Sequence, residues 1–545
     1  MAQHHPMSSE EKKVIFASAL GTVFEWYDFY LFGVMALIIA DQFFTPLDAS
    51  TKTIFTLLAF AAGFAVRPFG AIVFGRLGDM VGRKHTFLIT ILLMGASTFL
   101  VGLLPSYHSI GIAAPIILIT LRLLQGLALG GEYGGAATYV AEHAPDGKRG
   151  FYTSWIQTTA TGGLMLALLV ILGTRTYLGE DAFKDWGWRV PYLVSVLLLL
   201  ISLWIRLQLA ESPVFQRMKA EGKGSKNPLA ESFGQWRNLK VVLIALFGAA
   251  AGQGVVWYTG QFYALFFLEK MAKVDSPTAN IMVATSLILA TPFFVFFGWL
   301  SDKIGRKPII LSGCLIAALT YFPLFGALMH AANPALADAQ QQSPVAVQAD
   351  PAQCSLQFNP TGTAKFTSSC DVAKEFLAKN GISYQNLPAE PGALAEVRVG
   401  EMVVKSYDGQ ADNAKGEADR FKAEMDAALQ AANYPGKADP ASMNKPLIIG
   451  ILFLMVFYVT MVYGPIAALL VELFPARIRY TSMGLPYHIG NGWFGGFLPA
   501  TSFAIVAATG DIYKGLWYPI IVAVMTFVIG LVLVKDKREG GAYHS

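Results

Sequence analysis

Gly75-Arg-Leu-Gly-Asp79-Met-Val-Gly82-Arg83-Lys84 returns at residue 298 as Gly298-Trp-Leu-Ser-Asp302-Lys-Ile-Gly305-Arg306-Lys307, an offset of 223 residues. Each copy closes an apolar segment. A looser pair of basic loops, 145–150 and 475–480, repeats at an offset of 330. Duplicated halves explain both pairs if the second half has gained about 107 residues between its two landmarks. The polar stretch 332–445 accounts for that gain.

Composition says where the halves sit. Of the 545 residues, 54% are hydrophobic and 14% charged, with a mean hydropathy of +0.48. A soluble domain carries about 25% charged residues, so most of this chain is built for hydrocarbon. A spanning helix needs about 20 mainly apolar residues, and helices satisfy their own backbone groups inside a bilayer. Twelve segments qualify: 14–40, 52–77, 86–104, 111–140, 151–174, 188–209, 239–268, 277–300, 308–330, 446–472, 481–508 and 516–534. The first is long, with acids at its centre and no small-residue cleavage site, and reads as a retained helix rather than a signal peptide. With the N-terminus in the cytoplasm, that side holds Lys12, Lys13, Arg76, Arg83, Lys84, Arg306, Lys307 and Lys535 among others. The outer loops hold few, including Lys52, Arg175, Lys270 and Lys273. This bias places both termini inside.

The fold expected is therefore all-α: two six-helix pseudo-repeats, with an extracytoplasmic insertion between helices nine and ten. The divisions are a first bundle at 1–210, a linker at 211–238, helices seven to nine at 239–331, the insertion at 332–445 and the remaining helices at 446–545. Within the insertion, 333–360 reads as extended, 371–379 and 411–432 as helical, and 397–407 as a strand. An oxidising outer compartment favours a Cys354–Cys370 disulfide over free thiols. Cys314 falls inside a span, as packing. A net charge of +4 points to no nucleic-acid partner, and three cysteines with no Cys/His cluster point to no metal site.

In the repeated motif, Gly75 and Gly298 permit close helix approach. Asp79 and Asp302 can accept from a neighbouring helix N-terminus or from the arginine that follows. With Gly82, Arg83, Gly305 and Arg306 they form an expected gating latch, a role compatible with one of fixing loop shape.

Charges buried at mid-depth are costly, roughly 2.5–3.5 kcal/mol each on insertion scales, and face cavities or partners. Glu25 and Asp28 share one face of helix one, and two carboxylates in a dry site cannot both ionise cheaply. Either an acid here carries a proton, or one is locked by Arg67 or Arg122 while the other caps a polar pocket. Arg122, Gln125 and Glu132 share a broad face of helix four. Arg122 has three readings: binding a substrate carboxylate, tuning an acid, or pairing statically. Glu25, Asp28 and Glu132 are the candidate proton carriers. Gln253, Trp257 and Gln261, with Tyr258, form a polar-aromatic stripe on helix seven that either lines a cavity or sits at the outer interface. Arg67, Arg122 and Gln125, Gln157 on helix five, and His488 and Asn491 on helix eleven complete the expected substrate contacts.

Glu25-Trp26-Tyr27-Asp28-Phe29, Arg67-Pro68-Phe69-Gly70, Gly130-Gly131-Glu132-Tyr133-Gly134-Gly135, Trp186-Gly187-Trp188-Arg189-Val190-Pro191 and Glu211-Ser212-Pro213-Val214-Phe215 occur in this order. Together with the duplicated motif and Arg122-Leu-Leu-Gln125-Gly126, they resemble the metabolite:proton symporter family of the major facilitator superfamily. The resemblance covers nearly all of both halves and excludes the insertion. It implies a proton-coupled importer of a small mono-, di- or tricarboxylate, working by alternating access. A symporter of a zwitterion such as proline or betaine, or a proton-driven exporter, is the alternative. It also implies a monomer in a bacterial inner membrane whose partners are substrate, protons and lipid. Helix five reads Gly162-Gly163 and lacks the Gly-Pro of drug antiporters. No hydrolase, zincin or nucleotide-binding motif occurs, so neither an enzyme nor a cofactor is expected.

Overall fold

The computed structural model describes residues 7–44, 63, 65–359 and 364–536. Helix α1 spans Ser9–Val34 and starts with a capping box, Ser8 and Glu11 each closing on the other's backbone N–H. Helix α2 spans Arg67–Met80, with Pro68 in its first turn; the rest of segment 52–77 lies outside the described residues except for Gly63, Ala65 and Val66. Then come α3 Arg83–Leu103, α4 Ala113–His143, α5 Arg149–Leu178, α6 Arg189–Leu207, α7 Trp236–Met271, α8 Ser276–Ile304, α9 Arg306–Ala332, α10 Lys445–Leu473, α11 Arg479–Thr509 and α12 Lys514–Leu533. These ten, α3 to α12, are long and apolar enough to cross a membrane. In α1 the acids Glu25 and Asp28 hold down the hydropathy.

The halves meet in two matched pairs, α2 against α11 and α5 against α8. Both contacts are built by the duplicated motif. Gly82 (φ 143°) and Gly305 (φ 106°) turn the chain between consecutive helices with a backbone that side chains disfavour. Just before each turn, an aspartate reaches across to the other half. Asp79 accepts from the backbone N–H groups of Tyr480 (3.2 Å) and Thr481 (2.8 Å) at the start of α11. Asp302 accepts from Gly150 and Phe151 (2.8 Å each) at the start of α5. Each carboxylate thus caps the positive end of a helix in the opposite half.

Arg83 joins Asp79 (3.0 Å) to Glu142 (3.1 Å), and Arg306 joins Asp302 (2.7 Å) to Glu472 (2.8 Å). Arg479, from the second half, closes on Glu142 at 3.0 Å. These charges are buried and compensated, which is the condition under which buried ions persist.

Helices α7 and α11 are irregular. Wider π turns interrupt α7 at Leu246–Ala250, Thr259–Tyr263 and Phe267–Met271, and α11 at Ile489–Gly495. Such turns concentrate at functional positions.

Residues 334–444 form a cap on the face opposite the clasp. The expected extended start is a helix instead, Pro334–Gln342, opened by an Asn333 cap on Leu336 N–H. Strands β1 Val345–Ala349, β2 Tyr384–Pro388, β3 Glu396–Val399 and β4 Met402–Lys405 form one sheet in the order β2-β1-β3-β4. β1 and β2 are parallel, linked through helix Ser369–Lys379; the other pairs are antiparallel. The single strand expected at 397–407 is a hairpin turning at Gly400, where φ is 60°. Helix Ala414–Ala431 packs on β4, and Cys354 is bonded to Cys370. Cys314 is a buried free thiol within α9.

Candidate substrate and proton site

A central cavity lies between the halves, lined by Thr22, Glu25, Trp26, Arg67, Tyr133, Ile156, Thr159, Trp257, Tyr258, Tyr463, Tyr487 and Asn491. Arg67 reaches it from the start of α2. Its Nε donates to Gly63 O at 2.7 Å, which aims the guanidinium, and its Nη1 stands 3.5 Å from Glu25 Oε1. Gly70 and Gly130 permit this placement: a Cβ on either would strike backbone of the facing helix, so α2 and α4 approach with nothing between them.

Glu25 and Asp28 part company despite sharing a face. Asp28 accepts from Arg122 (3.1 Å) and Gln125 (3.1 Å) and meets Thr98 (3.3 Å), while Arg122 also binds Gln125 Oε1 (2.9 Å) and stacks over Phe32 at 4.1 Å. This network is buried inside the first half, away from the cavity lining. Of the alternatives for these side chains, the geometry is that of a lock for Asp28 and an open position for Glu25. Arg122 and Gln125, two of the expected substrate contacts, are engaged in this internal pairing.

Glu132 is the third candidate proton carrier. It is fully buried on Arg206 of α6, accepts from Thr90 Oγ1 at 2.8 Å, and does not reach the cavity. Arg206 further donates to Phe87 O (2.7 Å) and lies over the Phe87 ring. Glu132 thus has a dedicated cation that the sequence reading overlooked.

From the second half, Trp257 and Tyr258 of α7 face the cavity, and Asn491 joins them from α11. Gln253 is behind the lining, exchanging two hydrogen bonds with the Asn491 amide (3.0 and 2.8 Å). Gln261 and His488 are buried outside the lining. Gln157 donates to Tyr133 Oη at 2.8 Å and so acts one layer back.

Tyrosines supply what sequence reading missed. Tyr133 stacks on Tyr487 with ring centroids 3.8 Å apart, and the hydroxyls of Tyr463 and Tyr487 share a hydrogen bond of 2.8 Å. Trp26 faces Trp257 across the halves at 5.0 Å, and Phe29 faces Phe262 at 5.5 Å. The Trp257 indole N–H is buried with no hydrogen-bond partner among the described residues, and a buried donor of that kind calls for an acceptor. Among the described residues the site thus offers one cation, one carboxylate, aromatic faces and an unused donor. No group of three or more His, Cys, Asp or Glu able to hold a metal occurs among the described residues.

Residues 14–341 match the family model for sugar (and other) transporters. The alpha-ketoglutarate permease of Escherichia coli (strain K12) is 34% identical over 330 residues, covering 60% of this chain and 75% of the relative. The proline/betaine transporter of the same organism is 34% identical over 324 residues, 58% of this chain and 64% of the relative, so this chain spans under two thirds of that protein. Among solved structures, the proton:xylose symporter XylE bound to 6-bromo-6-deoxy-D-glucose superposes with a TM-score of 0.62 at 16% identity, over 97% of each chain. That likeness is one of fold.

Proposed function

Because this chain belongs to the sugar (and other) transporter family and is a membrane transporter of the major facilitator fold, we propose that it imports a small organic acid together with protons, by alternating access. In this reading the chain has twelve spans: one bundle at 1–210, a linker at 211–238, and a second bundle at 239–331 and 446–545. The cap 332–445 lies outside, and both termini lie in the cytoplasm of a bacterial inner membrane. Asp79 and Asp302, with Gly75, Gly82, Arg83, Gly298, Gly305 and Arg306, form the inner gate, closed in the conformation described.

The observation that carries the proposal is the Glu25–Arg67 pair at the wall of the cavity. With the site empty, ionised Glu25 compensates Arg67. A substrate carboxylate competes for the same guanidinium, and if it wins while Glu25 stays ionised, an uncompensated negative charge is left in a dry site. Protonation of Glu25 removes that charge. Counting the one substrate carboxylate that meets Arg67, two states are then near-neutral: empty with Glu25 ionised, and loaded with Glu25 protonated; a second substrate carboxylate enters with a proton of its own. Only those two move cheaply through a low-dielectric interior, which couples one proton to one substrate charge. Trp257 Nε1 and the tyrosine hydroxyls bind the rest of the acid.

A second reading has its own observation. Trp26 and Trp257 face each other at 5.0 Å, and aromatic faces attract a quaternary ammonium. A betaine-like zwitterion would put its carboxylate on Arg67 and its cation on these rings. Uptake into proteoliposomes of alpha-ketoglutarate and of glycine betaine, each with and without an imposed pH gradient, separates the readings. Accumulation of the dicarboxylate driven by outside acid supports the first. Accumulation of betaine alone supports the second, and no gradient dependence for either removes proton coupling.

A further inference from the structure

Where the cap meets the end of α7, a pocket opens that includes Glu269, Lys270, Lys273, Asp275, Lys379 and Lys437 in its lining. Its walls are fixed by backbone. Ala438 N–H donates to Lys273 O at 2.9 Å, and the Asn333 amide donates to Ala272 O at 3.0 Å. Gly381, with φ 66°, lies so close to α7 that a Cβ would meet the Met271 backbone. Lys273 itself has φ 60°, a left-handed conformation uncommon for a residue with a side chain. Such strain persists where surrounding structure over-determines it, and here it holds the lysine half-buried at the junction. Burial lowers the Lys273 pKa, against the opposing effect of the Asp426 carboxylate.

The charges in the pocket are unequal in availability. Asp275 caps the start of α8, accepting from Thr278 N–H (3.1 Å) and Thr278 Oγ1 (2.6 Å). Glu269 accepts from Ser276 Oγ at 3.0 Å. Lys379 is paired with Glu375. Lys270, Lys273 and Lys437 have no ion-pair partner among the described residues. Three ammonium groups from two chain segments converge on a cleft whose two carboxylates, Glu269 and Asp275, already accept from neighbouring donors; the excess of positive charge is matched by an anion with several oxygens.

We propose that this pocket is an outer binding site for small anions bearing two or more carboxylates, built jointly by the cap and α7. It would gather substrate at the mouth before the central cavity takes it. The inference rests on the carboxylate reading of the central site for its purpose, though not for its chemistry.

The test uses the full-length protein with Arg67→Ala, so that the central site is disabled, and measures binding of alpha-ketoglutarate by equilibrium dialysis at low and high ionic strength. Weak binding that high salt abolishes, and that Lys273→Gln with Lys437→Gln weakens about tenfold or more, supports the pocket. Absence of residual binding, or residual binding indifferent to those lysines, overturns it. In the otherwise native chain the same two lysine substitutions should raise KM for alpha-ketoglutarate at low salt and leave Vmax unchanged; a fall in Vmax with KM unchanged counts against it. Glycine betaine, which has one carboxylate, should show no lysine dependence. Lysine-dependent binding without transport of alpha-ketoglutarate would leave this site standing and remove the proposed function instead.

Discussion

Arg67 Nη1 stands 3.5 Å from Glu25 Oε1 on the cavity wall, while Asp28, one turn along the same helix, is held 3.1 Å from Arg122 behind it. Two carboxylates that look equivalent in sequence therefore have different work. Glu25→Gln should abolish accumulation driven by a pH gradient while leaving substrate exchange in preloaded vesicles. Undiminished gradient-driven uptake by this variant would remove Glu25 from coupling.

Arg67 lines the cavity and is the cation proposed to meet a substrate carboxylate. Losing a hydrogen bond to a charged group costs about 1.5–3 kcal/mol, or about 10–100-fold in affinity. Arg67→Ala should weaken carboxylate binding by that factor in a direct titration. Unchanged affinity would show that the substrate sits elsewhere.

Asp28 and Arg122 should behave as a structural pair. Asp28→Ala leaves a buried guanidinium uncompensated, a loss of roughly 3–5 kcal/mol where one partner of a buried pair is removed. The double variant Asp28→Ala/Arg122→Ala should recover part of that loss, read as the thermal unfolding midpoint in detergent. Additive losses would mean that the two side chains are not coupled.

The same logic applies to Glu132 and Arg206. Glu132→Gln should lower thermal stability and leave the proton dependence of uptake by the folded protein intact. Loss of proton dependence with normal stability would return Glu132 to the coupling machinery.

Asp79 and Asp302 each cap a helix of the opposite half, so removing both loosens the same face twice. At about 1.5–3 kcal/mol per charged cap, Asp79→Ala/Asp302→Ala should shift the open-to-closed ratio of that face about 100-fold or more. A cysteine at Ser154, buried against Gly298 in the clasp, should then react faster with an impermeant maleimide applied from that side. Equal labelling rates would mean that the clasp does not hold the face shut.

Features written locally were legible in the sequence. The duplicated motif located the inter-half clasp, because its glycines and aspartates act within a few residues of the turn they make. The acids of α1 and the aromatics of α7 announced a polar interior by their depth in apolar segments. What escaped reading depends on distant partners. Glu142 and Arg479 lie 337 positions apart, and nothing near Glu132 announces Arg206. Tyr463 and Tyr487, 24 apart, share a hydrogen bond between hydroxyls that only the packing of α10 on α11 creates. Gln253 matched the right stripe, yet its side chain serves Asn491 on α11. In the cap, 397–407 read as one strand because Gly400 alone marks the hairpin, and β1 was hidden in a segment rich in alanine and glutamine.

Among the described residues, the cap's hydrogen bonds to the rest of the protein run to the second half: Tyr384 N–H to Gly510 O (2.7 Å), the Asn386 amide to Ala508 O (3.2 Å), and Ala438 N–H to Lys273 O (2.9 Å). The cap must therefore travel with that half as cargo. If the halves rock about their midplane, the cap is a pointer mounted beyond the pivot, and it moves relative to the ends of the first-half helices on its own face by more than a residue near the midplane does. A fluorophore on the cap and another on the first half would turn each transport cycle into a distance signal, read without touching the substrate path.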